Sequence, residues 1–326
     1  MSDTTTSLVA ATLVNATLDN AVLIGGNFKA ATLDGTTFTN ADINGGNFTN
    51  ASLVNAGFVG ANLVKVNFTG ANCTGVDFSG ANLEHADLTK AIVSGASFKK
   101  AKLFGVILKD LAVDDIDLSY ADMTGVSMSN IDLSKAKLLG TNLSHTDLGG
   151  MVLDGMNFGN ADFTYASLAR SELNNAILNN AILNDSYLEG ANFSNAWMSF
   201  IIAMDSDMTE INLTEAMMWG SDLSYARMQD ANLSKAKAYG CKFNGVNLKR
   251  ASLTDGDFSG TDFQGADFTD ADLTNGDFTQ CVFEGAELLG ANLTGAIFTG
   301  VDLTEVRLST EQLSSIVIIA SKNTAN

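Results

Sequence analysis

The chain is expected to fold as an all-β solenoid, and three observations lead there. Every fifth residue from Leu8 to Leu313 is apolar, 62 positions without an insertion or deletion; only Cys73, Ala203 and Ala238 fall outside Leu, Phe, Ile, Val and Met. Two residues before each of these centres stands a small residue, most often alanine, as at Ala11, Ala16, Ala21, Ala31 and Ala41. Proline is absent, while 30 glycines are available for turns. A helix repeats its buried face every 3.6 residues and a strand every second residue, so a period of five fits neither as a single element. It fits a solenoid in which five residues make one short side, extended in the middle and turned at the end. The centre then points inward, the small residue fills the corner, and the other three residues face water.

Two further columns agree with that geometry. Asp or Asn commonly precedes the centre (Asp42, Asn62, Asn82, Asp122, Asn142, Asp162), where a short polar side chain can bond turn backbone. Glycine is frequent two residues after it (Gly25, Gly35, Gly45, Gly60, Gly70), where a turn needs positive φ. With Ala81-Asn82-Leu83, Ala86-Asp87-Leu88, Ala161-Asp162-Phe163 and Ala291-Asn292-Leu293, the chain resembles the pentapeptide-repeat family over about residues 6–313. The resemblance implies a right-handed, four-sided parallel β-helix in which four pentads complete one coil. That gives about 15 coils and a length of about 74 Å at the ~4.8 Å spacing of stacked strands. The expected organisation is a polar tail at 1–6, the β-helix at 7–309, and a short C-terminal capping helix with its tail at 310–326.

A length of 326 residues would ordinarily suggest two domains, but a repeat array grows in one dimension, so one elongated domain is expected. The charge of −19 and a pI near 4.2 argue against direct binding of nucleic acid or anionic lipid and accord with a basic protein partner. No window approaches the ~20 apolar residues of a membrane span, and Met1–Thr6 lacks the features of a signal peptide. The three cysteines fall on inward positions; Cys241 and Cys281 share a column two coils apart, beyond bridging distance. They read as core residues of a reducing compartment. With its many Asn-x-Ser/Thr sequons, the chain is expected to be cytoplasmic and bacterial.

Taken in order, the coils from 8 to 80 alternate Leu and Phe (Phe28, Phe38, Phe48, Phe58, Phe68, Phe78), which predicts two opposed sides of stacked rings. Between 106 and 156 the corner residues swell to Val106, Leu111, Ile116, Val126, Ile131, Met151 and Met156, predicting a locally widened or bent cross-section. The stretch 177–239 departs most. Ile177, Trp197 and Met217 precede centres in one column; Trp219 and Tyr239 follow centres in the next, with Phe200 beside them; Ile182, Ile202, Met204 and Tyr225 lie around one corner. All point outward and include both tryptophans, so they are candidate partner-binding residues.

From 251 to 313 the surface turns acidic. Asp255, Asp257, Asp262, Asp267, Asp270, Asp272, Asp277, Glu284, Glu287, Asp302, Glu305 and Glu311 face only Arg307, a net of −11, against −9 for residues 1–250. That is about one charge per 1.4 Å of rod, close to the ~1.7 Å of duplex DNA. Ser309 begins an N-capped helical pattern, and Leu313, Ile316, Val317 and Ile319 offer an apolar run that covers the last coil and could join two copies.

No catalytic constellation appears. His85 and His145 share a column three coils apart, no phosphate-binding glycine motif is present, and the cysteines lack metal-ligand spacing. The chain is expected to be no enzyme and to need no cofactor or metal. Two functions follow: an acidic interaction scaffold for a protein partner, and, as some members of the family imply, a DNA mimic that binds DNA gyrase and confers antibiotic resistance. A homodimer through the C-terminal helix or the coil ends accompanies either.

Overall fold

The computed structural model describes residues 6–111, 113–128 and 131–317. The chain divides into two units, Met1–Asp147 and Leu148–Asn326. In each, one five-residue pattern recurs. The residue before the centre bridges in parallel to its equivalent four pentads further on: Asn27↔Asn47, Thr32↔Ser52, Thr37↔Gly57 and Asp42↔Asn62 occupy four successive sides, and Ile177↔Trp197 continues the pattern in the second unit. Each unit is thus a repeat β-helix whose ladder bridges join a pentad to the fourth one after it.

Each side is closed by a turn in which the centre's carbonyl accepts from the N–H three residues on, as in Ala31 N–H to Phe28 at 3.0 Å. The second central residue of that turn is left-handed, at Gly35 (φ 67°) and equally at Asn40 (φ 55°). The preceding Asp or Asn holds the turn from outside: Asn47 Oδ1 accepts from the Thr49 N–H at 3.0 Å and from its hydroxyl at 2.6 Å. This satisfies backbone that a pentad too short for a ladder of its own would leave open.

In the first unit the phenylalanines form the two expected stacks. Phe28 lies on Phe48 at 4.6 Å and Phe48 on Phe68 at 5.2 Å; Phe38, Phe58, Phe78 and Phe98 follow at 4.7, 5.4 and 4.9 Å. The stacks meet edge-on, with Phe28 and Phe38 at 6.0 Å and 85°. Such pairs each contribute ~0.5–1.5 kcal/mol beyond burial. Around the swollen corners of this unit the core is looser: a void of about 20 Å³ opens between Phe98, Leu108, Leu111, Val113, Met128 and Ile131.

One corner of the second unit carries a polar ladder. Ser221, Cys241, Thr261 and Cys281 stand one above another in successive coils, and each donates to a carbonyl of the coil before. The acceptors are Met198 at 2.8 Å, Met218 at 2.8 Å, Ala238 at 2.6 Å and Phe258 at 3.0 Å. The two cysteines therefore take the place of Ser and Thr at a corner, beyond simple filling.

At the C-terminal end the helix begins at the expected residue and stops sooner. The only helix among the described residues, α1, is Thr310–Ser315, six residues with none buried. Leu313, the last step of the five-residue walk, sits on α1 and is 55% exposed, so it is no core centre. The chain then rejoins the ladder as Ile297↔Val317. The tail from 318, including Ile319, lies outside the described residues.

Candidate protein-binding surface

The side 196–200 and its stacked equivalents present the first group of predicted residues. Their backbone is held by ladder bonds: Ile177 N–H to Met156 at 2.9 Å, Trp197 N–H to Ala176 at 2.8 Å and Met217 N–H to Ala196 at 2.9 Å. Trp197 is 52% exposed and Trp219 45%; Phe200 and Tyr239 are exposed, and Ile177 and Met217 half-buried. Ile182, Ile202 and Met204 occupy the adjoining side, with only Ile202 exposed, and Tyr225 stands exposed at its far corner. The structure thus brings all ten onto two neighbouring faces of one unit. Among the described residues the five exposed aromatic rings form no ring–ring contact with one another.

Each corner aromatic has a seat. Phe200 is left-handed (φ 60°) and its ring covers Gly220: a Cβ added there would meet ring carbons at 2.7 and 2.9 Å. Tyr225 covers Gly245 in the same way, at 2.7 and 2.8 Å. A left-handed residue aims its side chain along the solenoid, and glycine in the next coil makes room. The pairing of an aromatic with a glycine one coil on could have been found in the sequence once the left-handed column was known.

Beside Trp197 lies an open cleft of about 400 Å³, lined by Asn175, Asn195, Trp197, Glu215, Met217, Lys235 and Lys237. It runs along the corner of Ala176, Ala196, Ala216 and Ala236, whose side chains are buried. Sequence reasoning missed the polar lining, although residues flanking a corner alanine column are its necessary neighbours. Lys235 approaches Glu215 at 3.7 Å. Nearby cations are paired along the stack: Arg227 with Asp207 at 2.7 Å, Lys242 with Asp222 at 3.2 Å and Arg250 with Asp230 at 2.5 Å. Burial opposes ionisation of Asp222, but the Ser224 hydroxyl and amide and the Lys242 ammonium outweigh it and lower its pKa.

The acidic residues of 251–313 also stack, as Asp257↔Asp277 and Asp267↔Glu287. Most serve their own turns: Asp257, Asp262, Asp267, Asp272 and Asp277 each accept the N–H two residues on, at 2.8–3.1 Å. Among the described residues no three His, Cys, Asp or Glu converge to hold a metal, and no helix is long and apolar enough to cross a membrane. The three thiols are pushed up to about 12 by burial, which keeps them protonated. Of the terminal apolar residues, Leu313 and Val317 are exposed and Ile316 half-buried.

The sequence profile described as "Pentapeptide repeat region" matches residues 11–88 and 239–308. The profile "Pentapeptide repeats (8 copies)" matches 71–110, 114–150, 141–180, 157–195 and 206–245. A search of curated proteins finds no match. Among solved structures, the chain is similar to QnrB1, a plasmid-mediated fluoroquinolone resistance protein (20% identity, 59% of this chain and 93% of that one, TM-score 0.38). It is similar also to HetL, involved in heterocyst differentiation regulation, from the cyanobacterium Nostoc sp. strain PCC 7120 (21%, 90% and 89%, TM-score 0.17). A pentapeptide repeat protein of the Arabidopsis thaliana thylakoid lumen matches at 24% over 41% of this chain and 69% of that one (TM-score 0.17). The recurring five-residue side, its bridges to the fourth pentad on within each unit, and both profiles make this chain a member of the pentapeptide-repeat family.

Proposed function

We propose that the protein is a non-enzymatic cytoplasmic scaffold that holds the Trp197–Trp219–Tyr239 face in place for a protein partner. The observation that carries this is the exposure of Trp197, Phe200, Ile202, Trp219, Tyr225 and Tyr239 on two adjoining faces of one unit. Large aromatic side chains on a fixed backbone are the usual anchors of an interface, because little ordering remains to be done on binding. The cleft beside Trp197, apolar at Trp197 and Met217 and polar around them, suits one inserted partner side chain.

The test is affinity capture from the source cells with the wild type and with Trp197→Ala combined with Trp219→Ala. Because both indoles are about half exposed, the double variant should melt as the wild type does. A protein recovered at least tenfold less by the variant supports the proposal. Equal recovery sinks it.

A second reading is favoured by the acidic columns Asp257↔Asp277 and Asp267↔Glu287, which repeat carboxylates at the ladder spacing. On this reading the partner is a DNA-handling enzyme such as DNA gyrase, and the acidic coils occupy its DNA site. Purified gyrase should then lose supercoiling activity, or gain protection against a fluoroquinolone, at micromolar protein. Neither effect at that concentration would end this reading.

A further inference from the structure

The last coil of the second unit is not laid onto the coil before it along its whole length. One coil earlier, the N–H groups of Phe263, Gly265, Phe268, Asp270 and Leu273 donate to Val282, Glu284, Glu287, Leu289 and Asn292 at 2.8–2.9 Å. Their equivalents one coil on, Phe283, Gly285, Leu288, Gly290 and Leu293, have no such partner among the described residues. The Cys281 and Ala286 carbonyls likewise lack the ladder donor that their counterparts Thr261 and Ala266 receive from Val282 and Glu287. The two coils are joined again by the Gln312 side chain, whose Nε2 donates to the Leu288 and Ala291 carbonyls, and by backbone where Gly295 donates to Ser315 and Phe298 to Val317, each at 2.9 Å, and Val317 to Ala296 at 2.7 Å.

Two clefts open along this seam. One, of about 430 Å³, lies between 280–284 and 300–306; the other, of about 460 Å³, lies between 289–291 and 307–312. A row of free backbone donors and acceptors is a template for another strand. We infer that this seam is a strand-addition site for an extended, basic segment of a partner protein, separate from the Trp197 face. The first cleft has the necessary pattern. An inserted residue could donate its N–H to the Cys281 carbonyl and accept from Phe283, and the residue two further on could accept from Gly285.

Charge selects the occupant. Glu284, Asp302 and Glu305 line the first cleft, and Arg307, in the second, is the only cation of residues 251–313. A second copy of this chain would bring its own −11 over those residues against them, whereas lysine or arginine side chains on the outward face of an added strand would meet carboxylates. The ladder bonds supply affinity in any sequence, and the acidic rim supplies the preference.

The experiment uses the full-length protein at ~0.15 M salt, where exposed charges are screened beyond ~8 Å. Three fluorescein-labelled hexapeptides are titrated: alternating lysine and valine, alternating glutamate and valine, and the lysine peptide N-methylated on the amides that face the seam. The expected result is saturable binding of the lysine peptide with slowed hydrogen exchange at Phe283 and Gly285. Binding should weaken at least tenfold on N-methylation and vanish for the glutamate peptide. Glu284→Lys with Glu305→Lys, both exposed side chains, should also weaken it at least tenfold. Equal binding of the N-methylated peptide would mean plain attraction to an acidic face and would overturn the proposal. So would unchanged exchange at Phe283 and Gly285, or a doubled mass by light scattering with those amides already protected.

Discussion

At the residue scale the solenoid depends on one backbone choice repeated at nearly every turn, Lys135 and Glu305 being exceptions among the described residues. Non-glycine residues pay ~1–2 kcal/mol for a left-handed conformation, yet Asn15, Lys65, His85, Tyr120 and Phe200 all adopt it. From Ala10 to Glu305 this column contains no Val, Ile or Thr, the residues whose branched Cβ makes it costliest. The first is Thr310, and there the turn gives way to α1. The same conformation explains why glycine stands above several aromatic corners, as at Tyr120–Gly140, Phe200–Gly220 and Tyr225–Gly245, although Tyr165 has Asp185 one coil on. Gly220 and Gly240 have similar φ values (64° and 62°), but an added Cβ meets the Phe200 ring at the first and nothing within 4 Å at the second. Gly220→Ala is therefore expected to cost more than Gly240→Ala, by about 1 kcal/mol for displacing a packed ring. In a Phe200→Ala background the two should become equal. A double-mutant cycle on urea midpoints measures this, and a Gly220→Ala penalty that survives removal of the ring would refute the seat.

At the element scale the informative piece is α1. Its capping box is complete: the Ser309 N–H donates to Gln312 Oε1 at 2.8 Å, and the Gln312 N–H to Ser309 Oγ at 3.1 Å. Gln312 also reaches back, its Nε2 donating to the Leu288 carbonyl at 2.8 Å and to Ala291 at 3.0 Å. Ala291 is the corner whose carbonyl would have received the backbone N–H of position 312 had the ladder continued, as Ala271 receives that of Asn292. The side chain thus replaces the ladder bond that the helix takes away. Gln312→Ala is expected to destabilise the last coil by ~1–3 kcal/mol, since it strands a helix N-terminus and two carbonyls together. Gln312→Glu should be at least as damaging, because it sets a carboxylate against two carbonyl oxygens. Hydrogen exchange at Gly295 and Phe298 reads both, and protection unchanged from wild type would contradict this role. The regular coils were legible because inward Leu and Phe at a fixed spacing leave a periodic trace that no local exception interrupts. At the end the cap was legible too, from Ser309 onward; the return of Val317 to the ladder was not, because one bridge after a six-residue helix leaves no periodic trace. The ten patch residues were legible as neighbouring outward columns through the 20-residue register, whereas the cleft's Lys235, Glu215 and Asn195 were hidden by their ordinary polarity.

For the whole molecule, a solenoid bonds each coil only to its neighbours, so stability is a local sum and opening starts where neighbours are missing. The three cysteines are built-in reporters of that unevenness. Burial raises each thiol to about 12, so a folded site holds the unreactive protonated form and labelling proceeds through opening. Cys73 sits between fully laddered coils beside the stacked phenylalanines of the first unit, with Cys73 N–H bonded to Ile92 at 2.7 Å. Cys241 has intact neighbours on both sides, its carbonyl accepting from Asp262 at 2.9 Å. Cys281 lines the open seam, and its carbonyl lacks that ladder donor. Labelling with a thiol-reactive disulfide in native buffer, followed by mass spectrometry of tryptic peptides, should therefore modify Cys281 first and Cys73 last, at least tenfold apart. Cys281→Ser, whose hydroxyl can make the same bond to the Phe258 carbonyl, should leave the other two rates unchanged. A single common rate for all three would mean that only global unfolding exposes them, and that the missing ladder bonds of the last coil leave its local stability intact.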